Sequence, residues 1–134
     1  MELRALGTTG LRVSTLGLGT VKLGRNQGVK YPQPFELPSD QQALALLELA
    51  WDLGINLLDT APAYGLSEER LGRLLRQCRR DWVIVTKVGE AFQNGQSQFD
   101  FSAAATRASV ERSLHRLGVA ALDAVLIHSS GDDL

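Results

Sequence analysis

The chain has 134 residues, of which 44% are apolar, and this is enough for one globular domain with a sizeable core. Its formal net charge of −1 arises from 14 basic and 15 acidic residues, so there is no basic excess of the kind that binds nucleic acid. No apolar run approaches the roughly 20 residues of a membrane span. We therefore expect neither nucleic acid nor a membrane among its partners.

The amino terminus and the cysteine count indicate the compartment. The first residues, Met1 to Arg4, lack the apolar stretch of a secretory signal, so we expect the protein in the cytoplasm. The one cysteine, Cys78, cannot form an internal disulfide, and it is expected to be a small core residue on a helix. Without a second cysteine or a histidine cluster, no metal site is predicted.

The chain opens with a predicted hairpin, a strand and a long irregular segment. Residues 1–13 contain the turn pair Thr9-Gly10 and are predicted to form a small hairpin, and Ser14 to Thr20 is typical of a first strand. Residues 21–38 are predicted to be a loop over the carboxyl face of the sheet. Its prolines are Pro32, Pro34 and Pro38.

Capping residues and apolar spacing predict three helices. The first covers about Asp40 to Leu53 and follows a capping box that starts at Ser39. The second begins at Ser67, with acidic residues in its first turn. The third runs from about Ser102 to a closing glycine, Gly118.

The runs between the helices are continuously apolar instead of alternating. They are Ile55 to Leu58, Val83 to Val85 and Ala124 to Ile127. This pattern is typical of parallel strands that are buried on both faces. A hairpin followed by β-α-β-α-β-α-β indicates an α/β fold with a parallel sheet, which is either doubly wound or the start of a TIM-type (β/α) barrel.

The doubly wound alternative depends on Gly17 and Gly19, which end the first predicted strand. A dinucleotide-binding fingerprint needs a third small residue where this chain has Lys22, and a helix should begin at once. The proline-bearing loop 21–38 follows instead. The glycine pair is better explained as a turn, and the barrel is favoured.

Titratable residues stand at the carboxyl ends of three successive apolar strands. Asp59, Lys87 and His128 each follow one of these runs, and Tyr64 lies just past Asp59. Each has an ordinary structural explanation when taken singly, as half of an ion pair, a packed loop tyrosine or a strand-end histidine. Because the catalytic groups of a barrel enzyme come from the carboxyl ends of several strands, their convergence predicts one shared site.

These four residue types suit the protonation of a carbonyl oxygen. A phenol exchanges its proton at neutral pH when a neighbouring positive charge favours the phenolate, and Lys87 can supply that charge to Tyr64. Asp59 would hold Lys87 charged and oriented. His128, as a neutral donor, would bind the carbonyl oxygen. Because this set contains no nucleophile and no metal, hydride from a nicotinamide is the natural reductant.

At these residues the sequence resembles the aldo-keto reductase family. The motifs that carry the resemblance cover nearly the whole chain. They are LGLGT at 16–20, LDTAPAYG at 58–65 followed by SE at 67–68, VTKV at 85–88, SLHRLG at 113–118 and LDAVLIHS at 122–129.

The resemblance implies NADPH-dependent reduction of small aldehydes or ketones on a (β/α) barrel with an amino-terminal hairpin. The residues that match the family's catalytic tetrad, with the tyrosine as acid and base, are Asp59, Tyr64, Lys87 and His128. The residues that match positions near the nicotinamide end of the cofactor are Gly19, Thr20 and Asp59. Many relatives carry tryptophan after the first strand, whereas this chain has Val21 and Lys22, so its substrate wall is expected to differ.

The length of the chain fits only half of such a barrel. A complete barrel takes about 250 residues, whereas this chain reaches the fourth strand. Residues 1–134 are therefore expected to be the amino-terminal half, and the fragment of a longer reductase is the favoured account. The alternatives are a half barrel that pairs with itself or with a missing carboxyl-terminal half, and a non-catalytic binding or assembly module.

Overall fold

Strands and helices alternate along the part of the chain that the computed structural model describes, residues 1–131. The elements are β1 (Leu3–Ala5), β2 (Arg12–Ser14), β3 (Gly17–Gly19), α1 (Val21–Gly24), α2 (Asp40–Asp52), β4 (Leu57–Asp59), α3 (Ser67–Leu75), β5 (Val83–Val88), β6 (Glu90–Gln93), β7 (Gln96–Phe99), α4 (Ala103–Leu117) and β8 (Ala124–Ile127). Strands β3, β4, β5 and β8 form one parallel sheet in that order. Within the described residues this sheet stays open, as the half-barrel prediction requires.

The register of the parallel sheet places the ends of β3, β4, β5 and β8, which carry the candidate site residues, side by side. Gly19 pairs with Asp59, and Asp59 pairs with Val85 near the end of β5. Lys87 pairs with Leu126 near the end of β8. Because the strands are parallel, these ends all lie on the carboxyl edge of the sheet.

The first hairpin, β1 and β2, is tied to the amino end of β4. Asn56, which precedes β4, accepts a hydrogen bond from the Ser14 amide at 2.7 Å and donates one to the Arg12 carbonyl at 2.9 Å. The Asn56 amide donates to the Ser14 hydroxyl at 3.1 Å. The hairpin therefore lies at the amino ends of the parallel strands, whereas the residues described above lie at the carboxyl ends.

The long helices begin and end at their capping residues. Ser39 and Gln42 form a reciprocal capping box at the start of α2, with hydrogen bonds of 2.9 and 3.2 Å. Ser102 accepts a hydrogen bond from the Ala105 amide at the start of α4, and Gly118 ends that helix with a left-handed φ of 68°. No helix among residues 1–131 is both long and apolar enough to cross a membrane.

The helices pack on the sheet through one apolar cluster. Leu47 of α2, Leu58 of β4 and Leu71 of α3 are completely buried. The other buried members are Leu23, Ala43, Ala50, Leu74, Cys78, Trp82, Ile84 and Leu117. Cys78 is thus a core residue as expected, but it lies in the turn after α3, where the Gln77 amide makes the tighter i→i−3 hydrogen bond to the Leu74 carbonyl at 2.9 Å.

The sequence patterns above do not predict the second hairpin, β6 and β7. It lies between β5 and α4, and its turn residues, Asn94 and Gly95, have φ angles of 52° and 79°. Asn-Gly is the preferred pair for a two-residue turn because both residues tolerate positive φ. Glutamines and a serine flank the pair, so the alternation that would mark two strands is missing.

Segment 21–38, predicted to be a loop, begins with the helical turn α1 and contains no further helix or strand. The turn packs against the loop that carries Tyr64. The Gly24 carbonyl accepts a hydrogen bond from the Leu66 amide at 3.1 Å. A side-chain carbon at Gly24 would overlap backbone atoms of Tyr64 and Ser67. Only glycine permits this approach.

The strand at the edge of the open sheet exposes apolar side chains. In β8, Val125, Leu126 and Ile127 are 40%, 49% and 76% exposed. Apolar residues on a strand edge are uncommon unless another element covers them. They mark the place where a closed barrel would continue.

Replacing Gly24 with alanine should destabilise the protein by roughly 1–3 kcal/mol, because an overpacked methyl group forces backbone segments apart. Urea unfolding measures this loss. Gly19→Ala is the control, because a side-chain carbon there meets no atom within 4 Å. Equal losses in the two variants would rule out the α1 contact as the cause.

Candidate active site

Lys87 and Asp59 form an ion pair at the carboxyl edge of the sheet. Nζ of Lys87 lies 2.8 Å from each carboxylate oxygen of Asp59 and donates to the Thr60 carbonyl at 3.1 Å. The two side chains are 12% and 39% exposed, respectively. An ammonium group that is so largely removed from water needs these partners, because desolvation penalises its charge.

Tyr64 places its hydroxyl at this ion pair. Lys87 Nζ donates a hydrogen bond to Tyr64 Oη at 3.1 Å, and the hydroxyl donates a longer one to Asp59 Oδ1 at 3.4 Å. The ammonium also lies 4.8 Å from the centre of the tyrosine ring. The phenol oxygen is therefore held within hydrogen-bonding distance of a fixed positive charge.

Arg25 and Gly65 hold the loop that carries Tyr64. The Arg25 guanidinium donates to the Ala63 carbonyl at 3.0 Å. Gly65 has a left-handed φ of 60°, and its close contact with the Gly24 carbonyl leaves no room for a side chain. These contacts restrict the position of the phenol.

The two residues predicted only for the cofactor differ in their surroundings. Thr20 is fully buried, and its hydroxyl donates to the Asp59 carbonyl at 2.9 Å and lies 2.8 Å from Ser67 Oγ. Its side chain is therefore used to align the ends of β3 and β4 and does not reach the cavity. Gly19 has open space where a side chain would stand.

His128 follows β8 directly and lies beside Tyr64. Its amide donates to the Val88 carbonyl at 2.8 Å, which continues the pairing of β8 with β5. The rings of His128 and Tyr64 are 6.0 Å apart between centroids and almost perpendicular. The structure thus brings together the four residues that the sequence predicts for one site. They are Asp59, Tyr64, Lys87 and His128.

Glu90 of β6 is a further residue of the site that the sequence patterns do not predict. Its Oε2 lies 2.9 Å from Nδ1 of His128, and its side chain is 10% exposed. The Ser97 hydroxyl donates to Glu90 Oε1 at 2.6 Å, and Nη1 of Arg25 lies 3.9 Å from the same oxygen. The turn at Asn94-Gly95 is the signal that could have placed Glu90 on a strand.

The surroundings of His128 lower its pKa below the ordinary value of 6.5. Burial is the largest cause, and the positive charges of Lys87 and Arg25 act in the same direction. The carboxylates of Glu90 and Asp59 oppose the shift without reversing it. The imidazole is therefore neutral at pH 7.

A cavity of about 660 Å³ opens in front of these side chains. Its lining includes Tyr64, Glu90 and His128, together with two further aromatic residues, Tyr31 of the loop and Phe99 of β7. A space of this size suits a small organic molecule. In the described part of the chain, no group of three His, Cys, Asp or Glu side chains could hold a metal ion.

The sequence model of the aldo/keto reductase family matches residues 15–133. The chain belongs to the aldo/keto reductase family. A Pseudomonas aeruginosa protein described as an aldo-keto reductase is 62% identical in sequence, with a TM-score of 0.87 over 98% of this chain and 48% of that one. The aldo-keto reductase AKR11C1 of Bacillus halodurans is 35% identical, with a TM-score of 0.78 over 99% of this chain and 42% of that one. The open sheet is thus the amino-terminal part of an aldo/keto reductase barrel.

Two relatives named as dehydrogenases are much longer than this chain. L-galactose dehydrogenase of Arabidopsis thaliana is 40% identical over 133 residues, which are 96% of this chain and 38% of that protein. Pyridoxal 4-dehydrogenase of Microbacterium luteolum is 36% identical, over 97% of this chain and 44% of that protein. The chain therefore spans less than half the length of these relatives, and the family that they share is one of oxidoreductases.

Lowering the pH should decrease the free energy of unfolding through the protonation of His128. Because the native pKa of His128 is below 6.5, the unfolded chain takes up more protons than the native protein as the pH falls through that value. The free energy of unfolding should decrease from about pH 7 towards about pH 5 and level off, for this group, below its native pKa. His128→Gln should flatten that part of the profile, as measured by urea unfolding at a series of pH values. The same slope in the variant would contradict the shift.

Proposed function

We propose that this chain carries the proton-transfer part of an NADPH-dependent reductase of aldehydes and ketones, with Tyr64 as general acid and base. The observation that supports this most directly is the position of Lys87, whose Nζ lies 3.1 Å from Tyr64 Oη and 2.8 Å from both oxygens of Asp59. This arrangement holds the phenolic proton donor in a fixed position beside a positive charge. It is the requirement for an acid that protonates a carbonyl oxygen.

The proton moves between Tyr64 and the substrate oxygen. In reduction, the hydroxyl gives its proton to the carbonyl oxygen as the alcohol forms, and the phenolate that remains faces the ammonium of Lys87. In oxidation, the phenolate takes the proton back from the alcohol. Asp59 keeps the ammonium in place during both steps.

NADPH would supply hydride to the carbonyl carbon. Gly19 fits a position beside the cofactor, because its missing side chain leaves open space at the end of β3, next to Asp59. Thr20 is proposed to contribute by aligning that strand end, since its hydroxyl is bound to the Asp59 carbonyl. Because the chain spans 48% or less of the relatives compared above, we propose that the remaining cofactor contacts lie in a carboxyl-terminal half.

The substrate is proposed to be a small polar carbonyl compound. Arg25 and Tyr31 line the same cavity as Tyr64. Val21, which stands where many relatives carry tryptophan, lines the cavity, and its neighbour Lys22 lies over the rings of Tyr31 and Phe35 at 4.3 and 5.0 Å from their centres. Relatives named for galactose, pyridoxal and aldose dehydrogenation support a polar substrate class.

NADPH oxidation in the presence of nitrobenzaldehyde tests the role of Tyr64. The assay uses this chain alone and this chain joined to the remainder of the 62% identical Pseudomonas aeruginosa relative. In the active form, Tyr64→Phe should lower kcat/KM by about 100- to 10,000-fold, which is the usual contribution of a general acid. Tyr31→Phe is the matched control, because Tyr31 lines the same cavity and is the other tyrosine of the chain.

Two outcomes would contradict this proposal. Equal rates for Tyr64→Phe and the unmodified sequence would remove Tyr64 from the proton transfer. An absence of NADPH oxidation by the joined protein, despite a folded state by circular dichroism, would contradict the reductase assignment itself.

The second candidate function is a non-catalytic half-barrel that assembles through its open edge. The observation that favours it is the exposure of Ile127, which is 76% exposed on the edge strand β8. On this account the chain forms a stable oligomer, and Ile127→Lys should convert it to a monomer in sedimentation velocity. Leu53→Lys is the control, since Leu53 is 60% exposed at the end of α2, away from that edge. A monomeric unmodified chain would exclude self-assembly.

A further inference from the structure

We propose that Arg25 is a positioning residue for the proton transfer, because its guanidinium joins the loop that carries Tyr64 to the segment 26–31, which reaches the cavity. The contacts behind this proposal lie within the chain, and its consequence for turnover rests on the proposed function. In the reductase, loss of Arg25 would misplace the phenol relative to the substrate, while the substrate could still bind.

Arg25 donates hydrogen bonds to backbone carbonyls of two separate segments. Nη1 donates at 3.0 Å to the carbonyl of Ala63, the residue directly before Tyr64. Nε and Nη2 donate to the carbonyls of Gln27 and Gly28 at 2.8 and 2.9 Å. A planar guanidinium presents its donors in a fixed fork, so these three bonds fix the two segments relative to each other.

Tyr64 is held from both sides by the end of α1. Arg25 binds the carbonyl of Ala63, and the Gly24 carbonyl accepts a hydrogen bond from the Leu66 amide at 3.1 Å. Ala63 is completely buried, so its carbonyl needs a partner inside the protein. Without the guanidinium, the backbone on the amino side of Tyr64 would have to move to find another partner for this carbonyl.

The hairpin formed by β6 and β7 supports the guanidinium. Its central carbon lies 3.5 Å from the centre of the Phe92 ring, and Nη1 lies 3.9 Å from Oε1 of Glu90. The Arg25 side chain is 12% exposed. A cation that is stacked on a ring and hydrogen-bonded through three of its donors is a rigid support for the loop.

The same guanidinium forms part of the cavity wall. Arg25, Gly28 and Tyr31 line the cavity that Tyr64 also lines. Gly28 has a φ of 60°, and a side-chain carbon there would approach Nη2 of Arg25 to 3.1 Å. A molecule in the cavity therefore meets a wall whose position is tied to the phenol through one side chain. Alignment of this kind matters for rate, because a displacement of about 1 Å can cost about 100-fold.

Carbon nuclear magnetic resonance of Tyr64 tests this link without substrate, cofactor or turnover. The chain has two tyrosines, so Tyr31→Phe leaves Tyr64 as the one site for tyrosine labelled with ¹³C at Cζ. A fixed phenol should give one sharp signal. Arg25→Gln in this background should shift and broaden the signal, because the loop then samples more than one position. A signal unchanged by Arg25→Gln would overturn the proposal.

Arg70→Gln is the matched control for the loss of a buried arginine. The Arg70 side chain is 7% exposed, and its guanidinium also donates to backbone carbonyls, those of Leu23 and Pro38. Both variants should unfold at lower urea concentrations than the unmodified sequence. Only Arg25→Gln should alter the Tyr64 signal. Equal changes of the signal in the two variants would indicate a general loosening and contradict a specific role for Arg25.

Arg25→Lys tests whether the fork of donors or the charge alone matters. Lysine keeps the positive charge, but its single ammonium cannot reproduce three bonds in one plane. The Tyr64 signal of Arg25→Lys should therefore resemble that of Arg25→Gln. A lysine variant with the signal of the unmodified arginine would show that charge is sufficient, and the proposed role of the guanidinium would be wrong.

Kinetics of the joined protein test the consequence for proton transfer. Arg25→Gln should lower kcat for NADPH oxidation by about 10- to 100-fold, with little change in KM, because the phenol is misplaced while the cavity remains. A raised KM with unchanged kcat would instead mean that Arg25 binds the substrate directly. That result would contradict a positioning role.

The possible results separate the two proposals. An unchanged Tyr64 signal and an unchanged kcat in Arg25→Gln would remove the role of Arg25 and leave that of Tyr64 intact. A joined protein without activity, together with a Tyr64 signal that responds to Arg25→Gln, would contradict the reductase and leave the link between the loops intact. If Arg25→Gln fails to fold, Arg25→Lys decides by the criterion given above.

Discussion

The largely buried ammonium group of Lys87 is the constraint on which the site depends. A charge that is 12% exposed must find acceptors inside the protein, and those within reach are the Asp59 carboxylate, the Thr60 carbonyl and the Tyr64 phenol. Because Asp59 ends β4 and the other two acceptors follow it, the hydrogen bonds of the Lys87 ammonium fix both the end of β4 and the loop that carries Tyr64. The contacts that stabilise this part of the fold are thus the same ones on which the proposed proton transfer depends.

Buried polar contacts beneath the site keep the strand ends aligned. Glu68, at the start of α3, is 1% exposed and accepts a hydrogen bond from the Thr86 hydroxyl at 2.7 Å. Its other oxygen lies 3.4 Å from Arg116 of α4. The neighbouring Ser67 hydroxyl lies within 3.0 Å of the Thr20 carbonyl at the end of β3. One helical turn thus joins three elements, so this part of the family motif acts as a scaffold for the residues above it.

Local sequence patterns were sufficient to predict which residues end the parallel strands. They were not sufficient to predict every side chain that contacts these residues. Asp59, Lys87 and His128 can be located because apolar runs and helix caps are read from neighbouring residues, and a parallel topology then brings their ends together. Glu90 cannot be located in this way, because its position depends on the pairing of a hairpin with polar flanks. The inward direction of the Thr20 side chain depends similarly on how β3 meets β4, which is a contact between distant parts of the chain.

The two-residue turn between β6 and β7 sets the register of the hairpin that carries Glu90, the carboxylate beside His128. Side chains alternate between the faces of a strand, so a slip of one residue exchanges the faces completely. In this hairpin such a slip would turn Ser97 of β7 away from Glu90, whose carboxylate its hydroxyl binds at 2.6 Å. An insertion in this hairpin would therefore change the contacts of the carboxylate beside His128 while the tyrosine, lysine, aspartate and histidine of the site all remain unchanged.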